Sequence, residues 1–246
     1  MRVNFFCPVG HEPWDHRSPD EQGIGGSETC VVEMSWRLAQ RGYEVTVFGN
    51  LGGDCPTPHR GVSWVDIDKC DPTQEALWII CRSPIDVDGG WAGPVWLMCQ
   101  DVDYSGQFTP GVCARVDVVM AMSEVHARNL RKTYPDIADK IRASSNGIRG
   151  DLFEEVEREG IERKPHSCIF ASSPDRGLVQ AVLPLWPRIR ERVPDATLDV
   201  YYGFNNIEKM VAADPVGWKW LGDVRDKCLR YFEEYADQGV TWHGRV

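Results

Sequence analysis

Short apolar runs alternate with segments of helical period along nearly the whole chain, and that alternation leaves few folds open. VNFFCP, residues 3–8, reads as a buried first strand, followed by a long polar loop, GHEPWDHRSPDEQGIGG. Ser27 is placed to cap the next helix, with Glu28 in its first turn. Val31, Met34, Leu38 and Ala39 recur at helical spacing, Gly42 suits a C-terminal cap, and EVTVFG forms the second strand. Such a strand–helix–strand unit predicts a parallel sheet. GVSWVDI, ALWIICR, PVWLMCQ and VDVVMAMS supply further strands, and Ser123 is set to cap a helix beginning at EVHARNL. KIRASSNGI closes an α/β domain over residues 1–150. The charged stretch EEVEREGIERKPH is read as a helical or extended linker over 151–165.

A second alternation occupies residues 166–246. HSCIFAS is a strand, SPDRG a turn, and LVQAVLPLWPRIRERV a helix that must kink or restart because Pro184 and Pro187 lack a backbone donor. TLDVYYG, a helix through GDVRDKCLRYFEEYADQ, and VTWHGRV, read as a central-type strand, complete the order. The expected class is α/β, with two Rossmann-like domains on parallel sheets, the second incomplete. Trp218, Trp220, Tyr231, Phe232 and Trp242 are then expected to lack full cover, leaving a homodimer, or association through the second domain, as an expectation.

Charge and cysteine usage narrow the function. The net charge is −10 with a pI near 5.1, and no basic stripe is present, so nucleic acid is not an expected partner. Arg188, Arg190 and Arg192 are interleaved with Glu191 and read as a solvated helix face. The 9 cysteines include no C-x-x-C pair, which argues against a zinc site and for reduced thiols in the cytoplasm. MRVNFFCPVG is broken too early for a signal peptide, and no apolar run reaches bilayer length.

Three loops are candidates for chemistry. GIGG precedes the first helix, where Gly25 and Gly26 would let backbone approach a phosphate or sugar hydroxyl; equally, glycines simply shape long loops. It is neither a dinucleotide fingerprint nor a Walker A loop. SSPDRG repeats the strand–loop–helix setting, and Arg176 there can grip a diphosphate; the plainer alternative is a surface turn in which Asp175 and Arg176 pair. QDVDY ends a strand, so Asp101 and Asp103 could orient sugar hydroxyls or merely cap a turn. His11, His16 and His126 are candidates on the acceptor side, with a solvated histidine at least as good a reading of His126. No His, Asp or Glu spacing suggests a metal.

Taken in order, GIGGSETCVVEMSWRLAQRGYEVTVFG, VDVVMAMSEVHARNL, SSNGIRGDLF, CIFASSPDRGLVQAVLPLWPRIRERVPDATLDVYYG and VTWHGRV resemble glycosyltransferase family 4, retaining enzymes of the two-Rossmann (GT-B) type. The resemblance implies an acceptor domain followed by a donor domain, with a nucleoside diphosphate sugar as co-substrate, a sugar or lipid acceptor, and no metal or further cofactor. It places Ser173 and Arg176 at the donor diphosphate, Gly25 and Gly26 near the phosphates or sugar, and Gly203, His243 and Gly244 near the nucleotide. Gln100 stands where the family often carries a histidine before Asp101, and these two are the candidate catalytic positions. The family's paired-glutamate segment would lie beyond HGRV, whereas this sequence ends at Val246. The expectation is therefore retaining hexose transfer by a chain cut within its donor domain and inactive alone. The alternatives are a catalytically incomplete sugar-, nucleotide- or partner-binding module, a chain completed by a second polypeptide, and a nucleotide-dependent oxidoreductase.

Overall fold

The computed structural model describes residues 1–8, 12–21, 23–53, 55–101 and 104–245. The chain divides into two units, Met1–Ile148 and Arg149–Val246.

Unit 1 is built on parallel strands β1 (Arg2–Cys7), β2 (Glu44–Gly49), β3 (Val62–Asp66), β4 (Leu77–Cys81), β5 (Val95–Met98), β6 (Val118–Ala121) and β7 (Ile141–Ala143), ordered β3-β2-β1-β4-β5-β6-β7. The helices are α1 (Ser18–Glu21), α2 (Gly26–Gln40), α3 (Pro110–Arg115) and α4 (Glu124–Thr133). Alternate residues of β4 serve opposite faces: Trp78 and Ile80 enter one core cluster, Ile79 and Cys81 the other. Both faces are buried, which is why these strands read as continuous apolar runs. The strand order reverses between β1 and β4, and such a reversal opens a crevice at the carboxyl ends of the strands.

Helix α2 starts two residues earlier than the serine suggests. Gly25, with extended backbone (φ −61°, ψ 152°), is the N-cap, and Ser27 lies inside the first turn. Its hydroxyl donates instead to Gln100 Oε1, at 3.4 Å. At the other end Gly42 takes φ +86° and donates to Ala39 O at 2.9 Å, as a glycine terminator should. Ser123 does cap α4, its Oγ accepting from His126 N–H at 3.1 Å.

Unit 2 carries α5 (Gly150–Arg158), α6 (Leu178–Gln180), α7 (Trp186–Arg192), α8 (Asn205–Ala213) and α9 (Lys219–Glu234). Its strands β8 (Ser167–Phe170), β9 (Thr197–Tyr201) and β10 (Val240–Gly244) form a parallel sheet ordered β10-β9-β8. β10 is thus an edge of this sheet and not its centre; only Val240 of the strand is buried. The proline-bearing segment restarts as expected: Ala181–Leu185 forms a π-helical turn containing Pro184, and α7 resumes with Pro187 in its first turn. Leu178, Trp186, Leu198, Val200 and Phe232 make the core. Phe232 is therefore covered, contrary to expectation, while Trp218, Trp220 and Trp242 stay exposed. No helix among the described residues is long and apolar enough to cross a membrane.

Candidate functional site

In unit 1 the crevice beside β1 and β4 is a small pocket, open to solvent. Cys7 and Cys81, from the strand ends, line it with Trp14, Arg82 and the first turn of α2. That turn is already furnished with an anion. A Cβ on Gly25 would collide with the Glu28 carboxylate, so Glu28 folds back over the helix start, where the peptide dipole favours negative charge. A Cβ on Gly26 would meet nothing within 4 Å.

Arg82 follows β4 in the left-handed region, φ 66°. For a residue with a Cβ this costs on the order of 1–3 kcal/mol. The strained backbone aims the guanidinium at Asp101: Nε donates to Oδ2 at 3.0 Å and Nη2 to Oδ1 at 3.3 Å. The loop carrying Asp101 is fixed by buried Tyr104, whose hydroxyl oxygen accepts from the N–H groups of Gln100 and Asp101, each at 2.8 Å. Burial pushes the Tyr104 phenol above its ordinary range, so it stays protonated. Gln100 therefore touches Ser27 of α2, while Asp101 touches Arg82 of the β4 end.

His126 is buried in the first turn of α4. Its Nδ1 accepts from Met122 N–H at 3.2 Å, which puts the ring proton on Nε2. That Nε2–H has no hydrogen-bond partner among the described residues. Burial lowers the pKa of His126 against the opposing pull of Asp101. His16 lies elsewhere: it stacks on His59 with centroids 3.8 Å apart, and its Nε2 bonds Pro56 O at 3.0 Å. His11 and Asp103 lie outside the described residues.

In unit 2 the parallel register brings the remaining candidates to the carboxyl edge of one sheet. Ser173 and Arg176 follow β8, Gly203 follows β9, and His243 and Gly244 end β10. Ser173 Oγ donates to Asp175. The expected alternative of an Asp175–Arg176 pair is not what forms: Arg176 is exposed and has no ion-pair partner among the described residues. Gly177 behind it needs φ +105°. His243 is held on two sides, by Asp199 Oδ1 at 2.8 Å from Nε2 and by the Tyr201 ring stacked at 4.3 Å. A Cβ on Gly203 would stand 3.2 Å from Arg245 Cβ, so the neighbouring loop passes close.

No protein-family model matches the chain, and no curated protein matches it by sequence. Solved structures do. The whole chain aligns with 71% of a sucrose-phosphate synthase from Thermosynechococcus elongatus, at 12% identity and a TM-score of 0.57. It aligns equally completely with 69% of a glycosyltransferase from Rickettsia africae ESF-5, at 11% identity and a TM-score of 0.54. The chain has a GT-B-like glycosyltransferase fold. At these identities the likeness concerns the fold alone. Arg82 and Asp199, which hold the candidates Asp101 and His243, are residues that sequence reasoning missed. A basic residue ending the apolar run ALWIICR, and a carboxylate inside the strand TLDVY, were the available signals.

Proposed function

We propose that this chain serves retaining transfer of a hexose from a nucleoside diphosphate sugar to a sugar or lipid acceptor, in the manner of glycosyltransferase family 4. The observation that carries the reading is Arg176: a guanidinium without an ion-pair partner among the described residues, at the carboxyl edge of a parallel sheet, in a GT-B-like fold. Cleaving the anomeric C–O bond leaves negative charge on the departing diphosphate, and a permanent, bidentate cation stabilises that charge as it develops. Gly244, where a Cβ would meet nothing within 4 Å, leaves backbone open beside the nucleotide, Gly203 lies next to it under Arg245, and His243 is oriented by Asp199 and Tyr201. In the first unit Gly25 and Gly26 approach the donor, Gln100 and Asp101 meet the transferred sugar, and His16 and His126 serve the acceptor; Asp103 and His11 belong to the same proposal. The nucleotide sugar is the co-substrate, and no bound cofactor is part of the reading. The nine cysteines, none in a disulfide, suit a cytoplasmic protein, and the exposed tryptophans of unit 2 suit association with a second copy.

A second reading, binding without turnover, draws on Asp101: both of its oxygens already accept from Arg82, which ties the carboxylate to the end of β4. Incubation with a panel of UDP- and GDP-hexoses separates the two. The transferase reading expects release of the nucleoside diphosphate above background, where the sequence expectation of a chain inactive alone predicts none. Donor binding without release would leave the binding module.

A further inference from the structure

We propose that Cys7 and Cys81 form a reversible disulfide across the crevice of the first unit. The strands that bear them are adjacent and parallel, and the pairing of Phe6 with Ile80 sets Cys7 opposite Cys81. Neighbouring strands stand about 4.8 Å apart, inside the Cα separation of about 4.4–6.8 Å that a disulfide spans. Both side chains leave the sheet on the same face, in the core cluster shared with Val3, Phe5 and Ile79. Their sulfurs lie 3.0 Å apart. Both also line the solvent-open pocket, each about 4% exposed, which is the side from which a small oxidant would come.

The oxidant class is a small peroxide. One sulfur, as thiolate, attacks the O–O bond, becomes a sulfenic acid and releases hydroxide. The partner sulfur then attacks it; the S–S bond forms, the S–O bond breaks and water leaves. In total two thiols lose two electrons and two protons, and hydrogen peroxide becomes two waters. Burial raises the Cys7 pKa, and the Cys81 contact adds to it, so thiolate is scarce near neutrality and formation is slow there. The bond would fasten the ends of β1 and β4, the two walls of the crevice, one residue before strained Arg82.

The chain is treated with hydrogen peroxide, alkylated in denaturant, digested and examined by mass spectrometry, with and without later dithiothreitol. The expected result is a Cys7–Cys81 cross-linked peptide, lost on reduction and formed faster at about pH 9 than at about pH 7. Cys30, the third thiol of this neighbourhood, is half-buried, with its sulfur on Met34 Sδ at 3.5 Å. Cys30→Ser is therefore expected to leave the cross-link intact, and Cys81→Ser to abolish it with Cys7 fully alkylated. Alkylation of both Cys7 and Cys81 in the oxidised wild-type chain would overturn the proposal. So would a cross-link from either cysteine to Cys30, or conversion of either to sulfinic acid without a cross-link.

Discussion

Arg82 holds Asp101 through two N–H···O contacts, of 3.0 and 3.3 Å, from a backbone position that an arginine rarely occupies. The pair joins the ends of β4 and β5 and fixes Asp101 in one orientation beside the crevice.

Arg82→Ala and Arg82→Gly separate the two halves of that arrangement. Each loses the ion pair, which is partly exposed and contributes at most about 1 kcal/mol. Only glycine also relieves the left-handed backbone, so Arg82→Gly should be more stable than Arg82→Ala by about 1 kcal/mol. Urea unfolding of the two variants decides it; equal midpoints would mean that the backbone at residue 82 relaxes without cost.

The buried histidine gives a pH dependence with a definite sign. His126 has a folded pKa below its unfolded value, as has His59, whose causes are burial first, then His16 and Arg60. Below about pH 6.5 the unfolded chain therefore binds more protons, and stability declines as pH falls from there through the folded values. His126→Asn keeps an acceptor near Met122 N–H and cannot titrate. Its stability should fall less than that of wild type between about pH 7 and about pH 5. An identical decline would assign the effect to other groups.

The glycine loop can be tested where space is open. Because a Cβ on Gly26 meets nothing within 4 Å, Gly26→Val should alter the melting temperature by only about a degree or two. Binding of a nucleoside diphosphate sugar should weaken if backbone must come close at that position. A large loss of thermal stability with unchanged binding would make the glycine structural.

How far the sequence was legible follows from where each feature is decided. The parallel sheet of unit 1 was readable because burial on both faces makes β1, β4 and β5 continuous apolar runs, a property of local sequence. The restart near Pro184 was readable because a missing N–H is local too. Ser27 was misplaced because cap preference is weak against the backbone of Gly25, and its hydroxyl found Gln100, 73 residues away. The left-handed turn at Arg82 and the His243–Asp199 pair depend on neighbours brought in by the fold, and nothing in the residues beside them announces either. β10 reads as central from its composition, yet pairing decides its place, and among the described residues it pairs with β9 alone.

The central claim is that Arg176 receives the donor diphosphate, and calorimetric titration of the chain with UDP and GDP tests it most directly. The account predicts measurable binding of at least one nucleotide, weakened by about 1.5–3 kcal/mol in Arg176→Ala, the scale of a lost charge-assisted contact, with no detectable binding of NAD. Equal affinity of wild type and Arg176→Ala for the nucleotide would remove Arg176 from the site and contradict the account.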